Sequence, residues 1–201
     1  MALASWLPRY YIAVYELDIA TAGMLTAIFS LSAAVFRALG GYLSDLVGAR
    51  AVLYWSFWAC MACLLVLSYP PTTYIIDGID GPITFSLSTH IRLFVVLTFV
   101  LGFFMSLGMA AVYKHIPSYF PSSVGAVGGL DQLFGGLGGF FLPVIFGVVN
   151  DLTNIWTTAF MALFGVVSIC LLWMHVSIIG LARRYDSDST YTDEPDMNAA
   201  Q

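Results

Sequence analysis

The sequence predicts an all-α integral membrane protein with five full transmembrane helices and a partial helix before them. Of its 201 residues, 60% are hydrophobic and only 9% are charged, and the mean hydropathy is +0.87, which is outside the range of soluble globular domains. The apolar runs are about 20 residues long, which matches a hydrocarbon core of roughly 30 Å. Barrel strands would alternate over about ten residues, so the spans are predicted to be helices.

The five full spans are predicted at about residues 20–42, 51–69, 93–113, 124–148 and 155–180. Residues 1–15 are apolar and aromatic but too short to cross a bilayer, so they form either an interfacial segment or the last turns of a helix. The connection at 70–91 is rich in Pro, Gly, Thr and Asp, which predicts an exposed loop. The other connections are short, so we expect successive helices to pack as antiparallel neighbours.

The cations in the short connections predict the orientation. Arg50, Lys114, Arg183 and Arg184 lie on one side of the predicted bundle, and acidic residues dominate the other side. We therefore expect a plasma (inner) membrane protein with a cytoplasmic C-terminus. Residues 183–201 are acidic and lack apolar periodicity, which predicts a disordered tail after a membrane unit at 16–182. The sequence has no basic patch that would indicate a nucleic-acid partner.

Arg37 is the one fixed positive charge well inside a predicted span. At the centre of a helix a guanidinium costs roughly 2.5 to 3.5 kcal/mol on insertion scales, so we expect it to face a partner, an aqueous cavity or a bound anion. The alternative is an ion pair that only fixes helix packing. Asp131 lies at a comparable depth, about 10 Å from the cytoplasmic end of its span. We hypothesise that the two share a cavity, where Asp131 holds the guanidinium or accepts a coupled proton; a structural hydrogen bond is the alternative.

The fourth full span is unusually rich in glycine. Glycine at three- and four-residue spacing removes side chains from one helix face, which lets another helix or a small ligand approach the backbone. Tight helix packing would explain a single G-x-x-x-G, but this density, followed by Pro143, better fits a helix that bends, rotates or lies against a substrate. The glycines are Gly125, Gly128, Gly129, Gly135, Gly136, Gly138 and Gly139.

Cys60 and Cys63 form a C-x-x-C in the middle of a span. An i, i+3 pair supplies only half of a metal site, so small helix-packing residues are the better interpretation. We expect no metal and no cofactor. The sequence also lacks paired carboxylates or a nucleophile beside a base, so we do not expect an enzyme.

The segment 36–50 resembles the loop motif of the major facilitator superfamily, G-x-x-x-D-(R/K)-x-G-x-R, as it occurs in the second half of such transporters. Leu46 stands where the motif usually has a cation. The residues in register with the motif are Gly41, Asp45, Gly48 and Arg50.

A more specific resemblance covers residues 111–129 and 135–143, which are similar to the nitrate/nitrite porter branch of that superfamily. The eleventh helix of that branch carries a glycine-rich nitrate signature. Together with the Ala2–Pro8 segment, the resemblance extends over residues 2 to about 182.

The resemblance implies half of a twelve-helix transporter, namely helices seven to twelve with most of helix seven missing. In this family one arginine from each half clamps the anion, and Arg37 would be the member on helix eight. Nitrate is a flat monoanion, which suits the planar, permanently charged fork of a guanidinium. Helix eleven would approach the anion, or slide during closure, through Gly135, Gly136, Gly138 and Gly139.

The implied function is nitrate and nitrite transport across a lipid bilayer by alternating access, either by exchange or with protons. It implies that the chain needs the missing N-terminal six-helix half. Three alternatives remain open: another small-anion or organic-substrate transporter of the superfamily, a non-transporting fragment, or a split subunit.

Overall fold

The computed structural model describes residues 2–78, 81–87 and 89–192. Within these residues the chain is helical apart from one β-hairpin, so the predicted fold class is confirmed. The helices are α1 (Ala2–Tyr15), α2 (Ile19–Leu43), α3 (Ala49–Leu67), α4 (Ile91–Tyr119), α5 (Val124–Thr153) and α6 (Thr158–Thr192), and a π-helical turn at Ser44–Gly48 joins α2 to α3.

Four helical stretches among the described residues are long and apolar enough to cross a membrane. The first, Ile19–Leu67, is 49 residues long, which corresponds to about 70 Å and exceeds two hydrocarbon cores. It contains α2 and α3, which meet at Gly48, a residue with φ +95°. This stretch therefore accounts for two of the five predicted spans.

Two close contacts hold α2 against α4. A Cβ added at Gly40 would lie 2.8 Å from the Leu107 Cα, and one added at Gly102 would lie 2.6 Å from the Ser32 Oγ. Real Cβ atoms do not approach other atoms so closely, so Gly40 lets the α2 backbone lie against the α4 backbone, and Gly102 makes room for the Ser32 and Phe29 side chains. Ser32 of α2 contacts Gly102 of α4, and Gly40 of α2 contacts Leu107 of α4. Since the contacts advance in the same direction along both helices, α2 and α4 run parallel.

The central helix α4 lies between α2 and α3. On its α3 side, a Cβ added at Gly108 would lie 3.2 Å from the Ser56 Cβ. Both neighbours pack extensively on α4 but touch each other only weakly. The expectation that successive helices are antiparallel neighbours is therefore wrong for α2 and α3, because small residues on two faces of α4 let it fit between them.

Buried aromatic rings tie α1 to α4 and α6. Tyr10 stacks on Phe94 with 4.7 Å between ring centroids, and Phe160 meets Tyr10 edge-on at 5.3 Å. The Tyr15 hydroxyl donates to the Thr89 carbonyl over 2.9 Å at the end of the helix. This packing favours a helix of the bundle over an interfacial segment for residues 1–15.

The start of α2 follows directly from α1. The carboxylate of Asp18 caps α2 and accepts from the Thr21 backbone N–H over 3.1 Å. Hydrogen bonds from the side chain and backbone of Thr21 lower the pKa of the Asp18 carboxyl below its usual value. The cap fixes where α2 begins.

The connection predicted as a loop contains a hairpin. The strands β1 (Thr72–Gly78) and β2 (Gly81–Leu87) pair antiparallel, from Thr72 opposite Leu87 to Gly78 opposite Gly81. Runs of Thr and Ile on both sides of a Gly and Asp cluster favour strands joined by a tight connection. We call the end of the bundle that carries it the hairpin end, and the opposite end the π-turn end.

The last helix extends beyond its predicted limit. It continues through Thr192, past Arg183, where the disordered tail was predicted to begin. Each residue added to an existing helix gains a hydrogen bond at little nucleation cost, so a helix can run beyond its apolar part. Residues 193–201 of the predicted tail lie outside the described residues, and the division of the chain at 15 and 182 stays a prediction.

We expect Gly40→Ala to lower the free energy of unfolding by about 1–3 kcal/mol, because its methyl group would collide with the Leu107 backbone. Thermal unfolding in detergent micelles measures the change. The matched control is Gly23→Ala on the same helix, where an added Cβ meets no atom within 4 Å. Equal stability of the two variants would contradict the close packing of α2 on α4.

Candidate functional site

Arg37 lies on α2 about 9 Å along the helix from its end at Leu43. Its side chain is exposed, and Nη2 donates to the Met109 Sδ of α4 over 2.9 Å. Among the described residues no carboxylate lies within salt-bridge distance of this guanidinium. A thioether is a weak, neutral acceptor, so it orients the guanidinium without neutralising its charge. Among the described residues, Arg37 therefore has no ion pair that would only fix packing.

Tyr113 lies one helical turn after Met109 on α4 and connects Arg37 to α5. Its hydroxyl lies close enough to the Asp131 carboxylate and to the Arg37 guanidinium for both charges to act on it. The Gln132 side-chain amide donates to the same hydroxyl. Arg37 and Asp131 therefore both lie near the Tyr113 hydroxyl, but they do not form a direct salt bridge with each other.

Three glycines of α5 face no neighbouring helix among the described residues. A Cβ added at Gly135, Gly136 or Gly138 would find no atom within 4 Å, and Gly139 is only half-buried. Helix packing within the described part of the chain therefore does not explain these glycines. We call Arg37, Met109, Tyr113, Asp131 and Gln132 the polar cluster, or Arg37 cluster. Gly135 lies one helical turn after Asp131, so the uncovered glycine face of α5, its bare face, begins beside this cluster.

The loop motif fastens the π-turn end of the bundle. Asp45, within the π-helical turn, forms a salt bridge with Lys114 of α4, and the Arg50 Nη2 donates to the Tyr119 hydroxyl over 3.1 Å. Gly48 has φ +95°, a left-handed conformation that a side chain disfavours. Three of the four motif residues therefore have a structural role at the connection between α2 and α3.

For the fourth motif residue the packing gives no such reason. A Cβ added at Gly41 would meet no atom within 4 Å. Its place in the motif therefore stays a prediction.

Several residues of the cluster were not singled out by the sequence reasoning. They are Met109, Tyr113 and Gln132. Spacing offered one signal, since Met109 and Tyr113 are four residues apart and share a face of α4. Nothing in the spacing shows that this face meets α2 and α5, which is why the partners of Arg37 were missed.

The two cysteines of the C-x-x-C are buried free thiols in the core, as predicted for packing residues. No group of three or more His, Cys, Asp or Glu side chains that could hold a metal ion occurs in the described part of the chain. Cys60 borders a half-open cavity of about 230 Å³ that is lined mainly by Leu, Phe and Met side chains. An apolar cavity does not suit an anion, so the candidate site is the Arg37 cluster.

Comparison with known proteins decides the family. The family model of the Major Facilitator Superfamily matches residues 1–194 of the chain. The chain belongs to the major facilitator superfamily. No solved structure matches this facilitator chain.

Curated relatives of this facilitator chain bear the names of the predicted branch. It is 42% identical over 187 residues to "Probable nitrate/nitrite antiporter NarK1" of Thermus thermophilus, covering 92% of this chain and 42% of that protein. It is 32% identical over 165 residues to "Probable nitrate transporter NarT" of Staphylococcus haemolyticus, covering 81% and 38%. For the NarT protein of Staphylococcus carnosus the identity is 30% over 174 residues, covering 86% and 40%.

These names confirm the predicted resemblance to the nitrate/nitrite porter branch. The facilitator chain spans about two-fifths of the length of these relatives. It is a multi-pass membrane protein, as its apolar helices and its family both indicate.

The two glycines of the loop motif should respond differently to alanine. We expect Gly48→Ala to destabilise the facilitator chain by about 1–2 kcal/mol, because φ +95° places a Cβ against the backbone. Gly41→Ala lies in a helix and meets no atom within 4 Å, so it should leave stability unchanged or raise it slightly. Thermal unfolding of both variants in detergent tests this, and a larger loss for Gly41→Ala would contradict it.

Proposed function

We propose that this chain is one half of a nitrate/nitrite transporter that works by alternating access, and that Arg37 binds the anion. The observation that carries the proposal is the state of the Arg37 guanidinium, which is exposed and, among the described residues, hydrogen-bonded only to a neutral thioether. Its charge and most of its donors are therefore free for a ligand. A flat oxyanion accepts two parallel hydrogen bonds from such a fork, which is stronger and more directional than contact with an ammonium.

The second support is the bare face of α5 next to the polar cluster. Without side chains at Gly135, Gly136 and Gly138, an anion or an opposing helix can approach the α5 backbone. In this proposal the glycines let α5 lie close to the bound anion and slide when the cavity closes. The names of the nitrate and nitrite relatives support the choice of anion.

The exposed polar cluster supports a second six-helix half as the partner. An uncompensated guanidinium does not face hydrocarbon, so Arg37 and the bare α5 face need a covering surface or an aqueous cavity. The relatives, more than twice as long as this chain, have room for such a half. The two halves would rock about a site between them, where the bound anion screens Arg37 from a second cation.

The polar cluster suggests how binding is coupled to charge. In the absence of anion, Asp131 provides a counter-charge to Arg37 without a direct salt bridge. An arriving anion takes over this role, and Asp131 either remains ionised nearby or accepts a proton that crosses with the anion. Exchange and proton-coupled uptake therefore differ in the protonation of Asp131.

The charges of the connections support the orientation. Arg50 and Lys114 both lie at the π-turn end, and cations are enriched in cytoplasmic connections. We place this end, and with it the C-terminus after α6, in the cytoplasm of a cell whose plasma membrane holds the protein.

The first test concerns the geometry of Arg37. We expect Arg37→Lys, in a chain co-expressed with the first half of the Thermus relative, to lose about 90% or more of nitrate uptake while inserting normally, because lysine keeps the charge but lacks the planar fork. Uptake of labelled nitrate into cells measures the loss. The matched control is Arg92→Lys near the hairpin end. Wild-type uptake by Arg37→Lys would refute the assignment, and competition by sugars or organic acids instead of nitrite would refute the substrate.

The second test concerns Asp131. We expect Asp131→Asn to change the pH dependence of nitrate uptake and to tighten anion binding about threefold to tenfold, because the competing negative charge is gone. Tyr113→Phe should shift binding less, since it removes only the shared hydroxyl. Asp151→Asn, near the other end of α5, serves as the control. If Asp131→Asn leaves both the pH profile and the affinity unchanged, Asp131 has only a structural role.

A further inference from the structure

A second cation lies at the hairpin end of the bundle, remote from Arg37. The Arg9 Cζ lies 5.8 Å from the centroid of the Trp6 ring and 5.6 Å from that of Trp156. The two indole rings are 5.7 Å apart. Among the described residues no carboxylate lies within salt-bridge distance of Arg9, and its side chain is exposed. The indoles hold the guanidinium by cation–π attraction and leave its charge uncompensated.

Two buried polar atoms in the same region lack hydrogen-bond partners among the described residues. They are the Trp6 Nε1 and the Asn150 Oδ1, on side chains that are 4% and 8% exposed. The Phe146 ring packs edge-on against Trp6 at 5.8 Å, and Asn150 follows Phe146 by one turn on the same face of α5. Native proteins rarely bury an unpaired N–H donor, so this one calls for an explanation.

We propose that Trp6, Arg9 and Asn150 form an oxyanion site between α1 and α5, separate from the Arg37 cluster. We call it the Trp6–Arg9 site. Arg9 lies about 9 Å from the end of α1 at Tyr15, and Arg37 lies about 9 Å from the opposite end of the bundle. The two arginines are therefore roughly 20 Å apart along the bundle axis.

The donors present suit an oxyanion. Rings near the guanidinium engage its charge and limit its movement, while its edge N–H groups remain able to donate. The indole Nε1 is a donor only, so its missing partner has to be an acceptor. A half-turn of the Asn150 amide exchanges its oxygen and nitrogen, which would place a third donor at the unpaired position. The charge of Arg9, the N–H donors of its guanidinium and of the Trp6 indole, and the adaptable Asn150 amide together select a small anionic acceptor.

The identity of the anion as nitrate rests on the proposed function. At the hairpin end the Trp6–Arg9 site would hold the anion before or after its passage to Arg37. A phospholipid phosphate offers the same oxyanion chemistry, and the experiment below distinguishes the two sources.

The experiment measures nitrate binding to the full chain in dodecyl maltoside micelles, from the nitrogen NMR line width of added sodium nitrate. The Arg37→Gln background removes the first site, so that the remaining binding reports the second. In that background we expect Arg9→Gln to weaken nitrate binding about tenfold, because a charge-assisted hydrogen bond is lost. Trp6→Phe keeps the ring and removes only the Nε1 donor, so it should weaken binding about threefold.

Arg92→Gln and Trp173→Phe are the matched controls, since the first removes a cation near the hairpin end and the second an exposed indole. Both should bind nitrate like the background. Gel filtration of each variant verifies folding, and Arg9→Lys, which keeps the charge, provides a milder change if Arg9→Gln does not fold. Partial loss with Arg9→Lys supports the site.

A second arm adds phosphatidylglycerol to the micelles. Competition between lipid and nitrate that depends on Arg9 identifies a lipid phosphate as a ligand of the same site, and nitrate binding unaffected by the lipid identifies the free anion. If neither nitrate nor phosphatidylglycerol binding depends on Arg9 and Trp6, the Trp6–Arg9 site is refuted. Nitrate uptake lost with Arg37→Lys would leave the proposed function intact in that case, so the two failures are distinguishable.

Discussion

The cost of an unpaired charge or polar group in hydrocarbon is the constraint on which the rest of this structure depends. It explains why the apolar helices carry so few charges and why the arginines on them contact specific polar or aromatic side chains. Arg37 donates to a thioether, and its charge and that of Asp131 both act on the Tyr113 hydroxyl. Arg9 meets two indoles. Neither guanidinium has a carboxylate in salt-bridge distance among the described residues, so both retain charge that an anion can match.

Glycine serves two opposite purposes in the same bundle. On α2 and α4, Gly40 and Gly102 leave room for the neighbouring helix, where a Cβ would collide with the Leu107 backbone or with the Ser32 and Phe29 side chains. On α5, Gly135 and its neighbours leave a surface that no described helix covers. The first pair packs α2 closely against α4, and the second group leaves the surface of one helix open to a ligand or a partner. Such a division suits a transporter, in which a stable half must move as a body against a changing contact surface.

The polar contacts are arranged by helix order. Because α4 lies between α2 and α3, its side chains reach α2 at Arg37, α5 at Gln132 and the π-helical turn at Asp45. A single helix thus joins the candidate anion site to the loop motif at the π-turn end. Movement of α4 relative to α2 would alter both, which gives the close packing at Gly40 a functional consequence.

The sequence by itself determined the membrane class, the number of spans, and Arg37 and Asp131 as charges in need of an environment. Length and apolarity suffice for these, because the bilayer imposes the same cost at every position along a span. Only the tertiary structure decided that α4 separates α2 from α3, that Tyr113 lies near both Arg37 and Asp131, and that Gly135, Gly136 and Gly138 of α5 are uncovered by described helices. Helical periodicity shows which residues share a face, but which face meets which neighbour depends on side chains far apart in the chain. The hairpin and the continuation of α6 were missed because they depend on local pairing and helix propagation, on which the hydropathy pattern is silent.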